Sequence, residues 1–439
     1  MRNFVVPLTL VMLGRGLGAQ QPPAPAPPRL SIPLSTSTLT DSLRLTRTDA
    51  VAMALARNPQ LDVARQQTAE ARAGRIQGLG IPDVDVTASL DAEPHLFALG
   101  QAGEKNVNAG IQVPFPHKFK LRNTIGIATV QAAEFSETQA RQTIAAQTAE
   151  QYDSLLVAVR HHADLADSRQ LSQEFLKRTQ DRFTAGTAAK LDVIRAQVDV
   201  AQAENQLIAN ERTIANARAA LNRLLNRPLG APIAPVDSLF VPPLLPSLDA
   251  IEQYALAHRP ELGNLDRQLA AARATTKLSR EFWIPDITVG ASRDYAQSAP
   301  ATFSAGLAFP IAILPWAHTR GEIAQNTFRE RELQATQIDL RAAVGQDVRN
   351  AFAGAVTALR QAIYIRDQLL PSARAAFKAA SASYALGGSS ALEVIDARRT
   401  LLDAESQYTD ALAAASTARW DLERAAGTSL DTFGPGVEQ

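Results

Sequence analysis

Hydrophobic and polar positions follow two periods along this chain, and the switches between them mark out its elements. Residues 48–57 carry apolar side chains at helical spacing and stop before Pro59, because the residue preceding a proline avoids helical geometry. Pro59 suits the first turn of a second helix, about 59–79, which ends at Gly78-Leu79-Gly80 and Pro82. The period then falls to two. Asp83-Val84-Asp85-Val86-Thr87-Ala88-Ser89-Leu90 alternates polar and apolar, and so does Asn106-Val107-Asn108-Ala109-Gly110-Ile111-Gln112-Val113, beyond a polar loop with Gly100 and Gly103. Two such strands predict a hairpin. From Lys120 to Arg182 no proline intervenes, and Leu155, Leu156 and Val159 support one helix of roughly 60 residues, ~90 Å long. Gly186 breaks it, and a further helix over about 188–226 ends at Asn226-Arg227-Pro228.

The same order then returns. Ala54-Leu55-Ala56-Arg57-Asn58-Pro59-Gln60-Leu61 is echoed 201 residues later by Ala255-Leu256-Ala257-His258-Arg259-Pro260-Glu261-Leu262. Ile81-Pro82-Asp83-Val84 comes back as Ile284-Pro285-Asp286-Ile287, and Phe183, Gly186, Leu191, Asp192, Val193 match Tyr384, Gly387, Leu392, Glu393, Val394. A period near 200 residues is too long for a solenoid unit and reads as duplication of a structural half. The second copy predicts helices near 248–258 and 260–281, strands near 286–293 and 301–311, a long helix over about 319–385 and a last helix over 389–426. In each half, the helix before the hairpin and the one after the glycine turn together nearly equal the long helix, as expected for end-to-end stacking alongside it in a coiled-coil tube.

Composition narrows the class. The 44 basic residues balance 44 acidic ones, so no net field draws the chain to nucleic acid or an anionic surface. The absence of cysteine excludes disulfides, thiolate metal sites, cysteine nucleophiles and an acylated N-terminal cysteine. Arg2, the apolar run Phe4 to Leu13 and Leu17-Gly18-Ala19 predict a signal peptide, followed by an exposed proline-rich tether. The chain therefore divides into a signal peptide (1–19), a tether (20–44), a first repeat (45–230, hairpin about 84–113, turn at 186), a linker (231–246), a second repeat (247–428, hairpin about 286–311, turn at 387) and a short tail (429–439). Later residues contain no apolar run of membrane-helix length. Strands of eight to eleven residues are long enough to cross a bilayer when tilted, but four of them cannot close a barrel. Two copies would give a filled eight-stranded barrel and three a twelve-stranded pore. Soluble β-ribbons in a periplasmic coiled-coil scaffold or adaptor are the alternative, and Val84, Val86, Ile111 and Val113 discriminate: they face lipid in one case and protein in the other. Phe115, Phe119, Phe303, Phe309 and Trp316, near strand ends, favour membrane interfaces.

Taken together, Asp49-Ala50-Val51 through Asn58-Pro59, Arg259-Pro260-Glu261-Leu262, and the turns Arg182-Phe183-Thr184-Ala185-Gly186 and Tyr384-Ala385-Leu386-Gly387 resemble an outer-membrane efflux protein of the TolC type. The resemblance spans about Leu45 to Thr428. It implies a mainly α fold with a small β part: a homotrimer with a long α-helical barrel in the periplasm and four strands per protomer completing a twelve-stranded outer-membrane β-barrel. It further implies a periplasmic adaptor and an inner-membrane pump, with a weak leaning to the resistance–nodulation–division type, and no bond-making chemistry.

Glu393 and Asp396, three apart, share one helix face just after the second glycine turn. Taken alone they suit any helix N-terminus. The resemblance places them in a ring at the periplasmic aperture, filtering cations and holding the duct shut. Asp192, the first-half counterpart of Glu393, is a third candidate for the aperture, although Arg195 stands where Asp396 would. Gly186 and Gly387 supply left-handed turns, and the resemblance adds an adaptor-docking role for these glycines with Thr187, Ala188, Gly388 and Ser389. His161 and His162 are adjacent, so they are not the i, i+4 pair that grips a metal. No phosphate loop, nucleophile elbow or zinc-protease motif occurs, and no cofactor or metal is expected.

Overall fold

The computed structural model describes residues 43–80, 83–91, 104–239, 245–296, 299–309 and 317–433. The expected signal peptide, Pro82, Gly100, Gly103 and Trp316 lie outside them. The chain forms two compact units, one of Gly78–Asn123 and Lys277–Ala324, the other of Leu39–Gln77, Thr124–Thr276 and Gln325–Gln439.

The first unit is built on a four-stranded antiparallel sheet. Its strands are β2 (Asp85–Asp91), β3 (Glu104–Val113), β5 (Ile287–Ala296) and β6 (Ala299–Ala308), in the order β2-β3-β5-β6. The two hairpins join through a continuous β3–β5 register from Glu104↔Ala296 to Val113↔Ile287. Residues directly opposite share a face, so the register sorts the side chains. Val86, Val107, Ile111, Val289, Phe303 and Leu307 lie on one face, and Thr87, Asn106, Asn108, Gln112, Thr288, Ser292 and Ser304 on the other. The apolar face is bare: Phe303 is 74% exposed, Val86 68% and Leu307 64%. Strands β2 and β6 are the outer members, each with one edge unpaired among the described residues.

The second unit is helical, and each repeat makes its own core. Helix α1 (Arg47–Arg57) starts at a capping box, in which Thr46 accepts from the Asp49 N–H and the Asp49 carboxylate accepts from the Thr46 N–H. It is followed by α2 (Pro59–Leu79), α3 (Pro116–Thr184) and α4 (Lys190–Leu224). The second repeat gives α5 (Leu248–His258), α6 (Pro260–Arg280), α7 (Ala317–Tyr364), α8 (Leu370–Leu386) and α9 (Ala391–Ala426). Ala54, Leu61, Leu221 and Leu225 are buried in the first core, and their counterparts Ala255, Leu262, Leu422 and Ala426 in the second. Asn226 and Gly427, also equivalent, both take positive φ to end α4 and α9.

Two features depart from the pattern read in the sequence. The long helix expected over 319–385 is divided by a π-helical turn at Ile365–Leu369, in which the Leu370 N–H reaches back to the Ile365 carbonyl. Pro371 is the cause: it has no N–H for the helical ladder and its ring crowds the preceding turn, so the backbone widens there. In addition, β1 (Leu43–Leu45) and β4 (Ile233–Pro235) pair in parallel, in stretches expected as tether and linker.

A buried phenol ties this small sheet to the helices. The Tyr152 hydroxyl donates to the Leu45 carbonyl (2.9 Å) and accepts from the Val236 and Asp237 N–H groups at 3.2 and 3.3 Å. Burial pushes its pKa up to about 12, so the hydroxyl keeps its proton at any physiological pH. Tyr152→Phe removes the hydroxyl that the Asp237 N–H donates to, while the Val236 N–H and the Leu45 carbonyl keep their own bond at 3.0 Å. It should destabilise the helical unit by about 1–3 kcal/mol, read by denaturant titration of the detergent-extracted protein. An unchanged midpoint would show that the phenol bonds contribute nothing.

Candidate functional site

The two hairpin turns of the helical unit are built alike. In the first, Gly186 has φ +75°, its N–H donates to the Phe183 carbonyl at 3.0 Å and the Thr187 N–H to the Arg182 carbonyl at 2.9 Å. In the second, Gly387 has φ +82°, with Gly387 N–H to Tyr384 (3.0 Å) and Gly388 N–H to Ser383 (2.9 Å). Both are Schellman turns, in which the last carbonyls of α3 and α8 are satisfied only because a residue without Cβ turns left-handed. Thr187, Gly388 and the 90%-exposed Leu386 stand out into solvent, while Ala188 and Ser389 are half-buried.

The ends of α3 and α8 clasp each other across the repeats. The Arg182 guanidinium lies 4.5 Å from the Tyr384 ring centroid and also donates to the Tyr384 carbonyl. Phe175 packs against the same ring at 5.3 Å. The repeat pattern carries no signal for either contact, since each joins residues about 200 positions apart. Beside them lies a cleft of about 570 Å³ whose lining includes Phe175, Phe377, Tyr384 and Val394.

Helix α9 carries the two acids. Ser390 caps it, accepting from the Glu393 N–H at 3.3 Å and donating to the Glu393 carboxylate at 3.2 Å. Val394, Ile395 and Arg398 are buried, which turns Glu393 and Asp396 outward on the opposite side. Asp403 continues that exposed line one heptad after Asp396, a spacing visible in the sequence but not picked out there. Asp192 is placed differently: it is half-buried and sits 3.9 Å from Arg195 on its own helix. His161 bridges to Asp410 on α9 at 2.9 Å, an assignment of partner that adjacency with His162 could not reveal.

What fixes the rotation of α9 is a buried ion pair. Arg398 donates to Asp199 of α4 at 2.6 Å and to the Ser168 carbonyl of α3 at 3.3 Å, with both charged side chains almost wholly enclosed. The repeat does not predict it, since Gln197 and Thr400 occupy the equivalent positions.

On the sheet unit, Phe115, Phe119 and Phe309 are exposed near the strand ends that adjoin helices, and Trp283, which the sequence reading passed over, is 60% exposed after α6. Phe303 is nearer the hairpin-loop end, opposite Arg293. Among the described residues no group of three or more His, Asp or Glu is placed to hold a metal ion. No described helix is long and apolar enough to cross a membrane, which leaves the sheet unaddressed.

Against this geometry, comparison with known proteins gives a consistent answer. The profile of a family described as outer membrane efflux protein matches residues 50–227 and 252–428, one segment in each repeat. The pyoverdine export outer membrane protein OpmQ of Pseudomonas aeruginosa is 25% identical over 74% of this chain and 68% of its own. The cobalt-zinc-cadmium resistance protein CzcC of Cupriavidus metallidurans is 24% identical over 87% of this chain and 90% of its own. The outer-membrane channel OprN superposes with a TM-score of 0.75 at 20% identity, covering 88% of this chain and 90% of that one, which shows a shared fold.

Arg398→Ala would leave Asp199 buried with only Arg399, 3.7 Å away, as counter-charge. The expected cost is about 3 kcal/mol in helix unfolding, largely recovered when both partners become apolar in Arg398→Met with Asp199→Leu. A double variant as unstable as the single one would mean that the helices need the charges themselves.

Proposed function

The chain belongs to the outer membrane efflux protein family, and on that premise we propose that three copies close a twelve-stranded barrel across the outer membrane, four strands from each. The protein is a passive exit duct of an efflux system. The observation that supports the barrel is the sorted sheet: a bare apolar face, a polar face, and unpaired outer edges on β2 and β6. In lipid, such edges must be paired, and copies of the same sheet supply the partners. A water-soluble scaffold would leave Val86, Phe303 and Leu307 wet, and the family membership does not favour it.

In this reading the helical unit stands in the periplasm. The two Schellman turns, with Gly186, Thr187, Ala188, Gly387, Gly388 and Ser389, meet an adaptor protein that links the duct to an inner-membrane pump. Glu393 and Asp396 from three copies bring six carboxylates around the axis, a ring that attracts and retards cations. Asp192 is the first-half candidate for the same aperture, its charge shared with Arg195 3.9 Å away. Phe115, Phe119, Phe303 and Phe309 lie at the two lipid–water interfaces. The duct does no bond-making chemistry and needs no cofactor. Relatives named for pyoverdine export and for cobalt-zinc-cadmium resistance match at 25% and 24% identity, so the match selects no one cargo.

Planar-bilayer recording on the detergent-extracted protein, with its mass determined in the same detergent, tests the assembly. Discrete channels from a trimer are expected, and a water-soluble monomer without conductance would overturn the barrel. Glu393→Ala combined with Asp396→Ala should raise conductance or weaken block by divalent cations. If both stay as in the parent, the ring assignment fails while the duct stands.

A further inference from the structure

The sheet sorts its charges as well as its apolar groups. Asp85 and Asp294 lie on the polar face, whereas Lys105 and Arg293 lie on the apolar one. The register fixes this: Lys105 is directly opposite Tyr295, and Arg293 is opposite both Val107 and Phe303. Lys105 and Arg293 are therefore diagonal neighbours on one face, about 7–8 Å apart at the backbone. All three polar-headed side chains are exposed, and the Arg293 guanidinium lies 5.0 Å from the Tyr295 ring centroid. Among the described residues neither cation forms an ion pair. Asp294, adjacent in sequence to Arg293, points to the opposite face and accepts from the Asn106 amide there.

Two neighbouring cations on a lipid-facing surface repel each other and call for an anion. Their height says which kind. They stand at the hairpin-loop ends of the strands, away from the ends that lead into α3 and from α6. From Val113 to Lys105 the strand climbs about 26 Å, or roughly 20 Å along the membrane normal at a tilt near 40°. That puts Lys105 at the far margin of the apolar band, where headgroups begin; Arg293, level with Val107, stands about 15 Å up and reaches the margin with its long side chain. With the helical unit on the periplasmic side, this margin is the outer leaflet.

We propose that Lys105, Arg293 and Tyr295 form a binding site for the phosphate of an outer-leaflet glycolipid. Resting on the duct reading above, the site uses Lys105 and Arg293 to share the phosphate oxygens by charge-assisted hydrogen bonds. Tyr295 offers a ring and a hydroxyl to the sugar, and Phe303, Val107 and Leu307 line the surface along which acyl chains lie. The carboxylates stay on the other face, where they cannot compete.

The test is native mass spectrometry on the full-length, detergent-extracted protein, titrated with bis-phosphorylated lipid A, with lipid A stripped of phosphate, or with inorganic phosphate. The parent should hold bis-phosphorylated lipid A, and Lys105→Gln with Arg293→Gln should weaken that binding about ten-fold, with no change for the stripped lipid. Arg293→Lys alone should retain most of the affinity. Equal binding of the two lipid forms, or no effect of the double variant, would overturn the site. Full competition by millimolar inorganic phosphate would overturn the lipid as its ligand. Single-channel conductance of the same samples separates the causes. Channels of unchanged conductance in the double variant show an intact barrel, so a loss of binding belongs to the site. No channels in the parent would instead be a failure of the duct reading.

Discussion

Unpaired backbone governs this protein. Among the described residues, the sheet β2-β3-β5-β6 ends on both sides in strands with a free row of N–H and C=O groups. In hydrocarbon each such group costs several kcal/mol, far more than any side-chain contact returns. One chain cannot remove that cost, because β2 and β6 are the outer strands of a sheet that β3 and β5 join in the middle. In the proposed barrel the pairing comes from identical sheets, so assembly and membrane insertion become one problem. The helical unit is under no such constraint: its helices satisfy their own backbones, and each repeat has its own core of residues such as Leu61, Leu221, Leu262 and Leu422.

Duplication explains how the helical unit gains two matching turns, and the differences between the copies show where the chain specialises. Gly186 and Gly387 occupy the same left-handed geometry. Beyond them the copies diverge: the first continues with Asp192 and Arg195, partly cancelling, and the second with Glu393 and Asp396, both outward. The outward direction is not a property of the acids. It follows from Val394, Ile395 and the enclosed Arg398–Asp199 pair on the opposite side of α9. Rotation of a helix by one residue would carry both acids about 100° round, so the ion pair acts as an index for the exposed line.

Most of the element boundaries were legible because they are local. Pro59 and Pro260 end α1 and α5 through the geometry of the preceding residue, the period-two runs gave the strands, and the glycines gave the turns. The Pro371 turn had a local cause too, but the strong helical pattern on both sides masked it. What the sequence could not disclose was pairing at long range. Nothing near Leu43 or Ile233 announces that they meet, and nothing near Asp199 announces Arg398. The line of Lys105 and Arg293 lay between these cases: alternation puts each on the apolar side of its own strand, yet only the β3–β5 register makes them neighbours. Likewise the turn motif contains Tyr384, but only the fold sets Arg182 over its ring.

The π-helical turn at Ile365–Leu369 gives the two repeats unequal mechanics. α3 runs unbroken from Pro116 to Thr184, a strut whose bending must strain many hydrogen bonds at once. Its partner is jointed: a wide turn beside a proline is where a long helix yields first. In a ring of copies, stiff and jointed members would alternate around the wall. Such a tube has the rotational order of its copies in stiffness even where the backbones repeat at twice that order. Any flexing of the wall is then shared unequally, taken up by every second member.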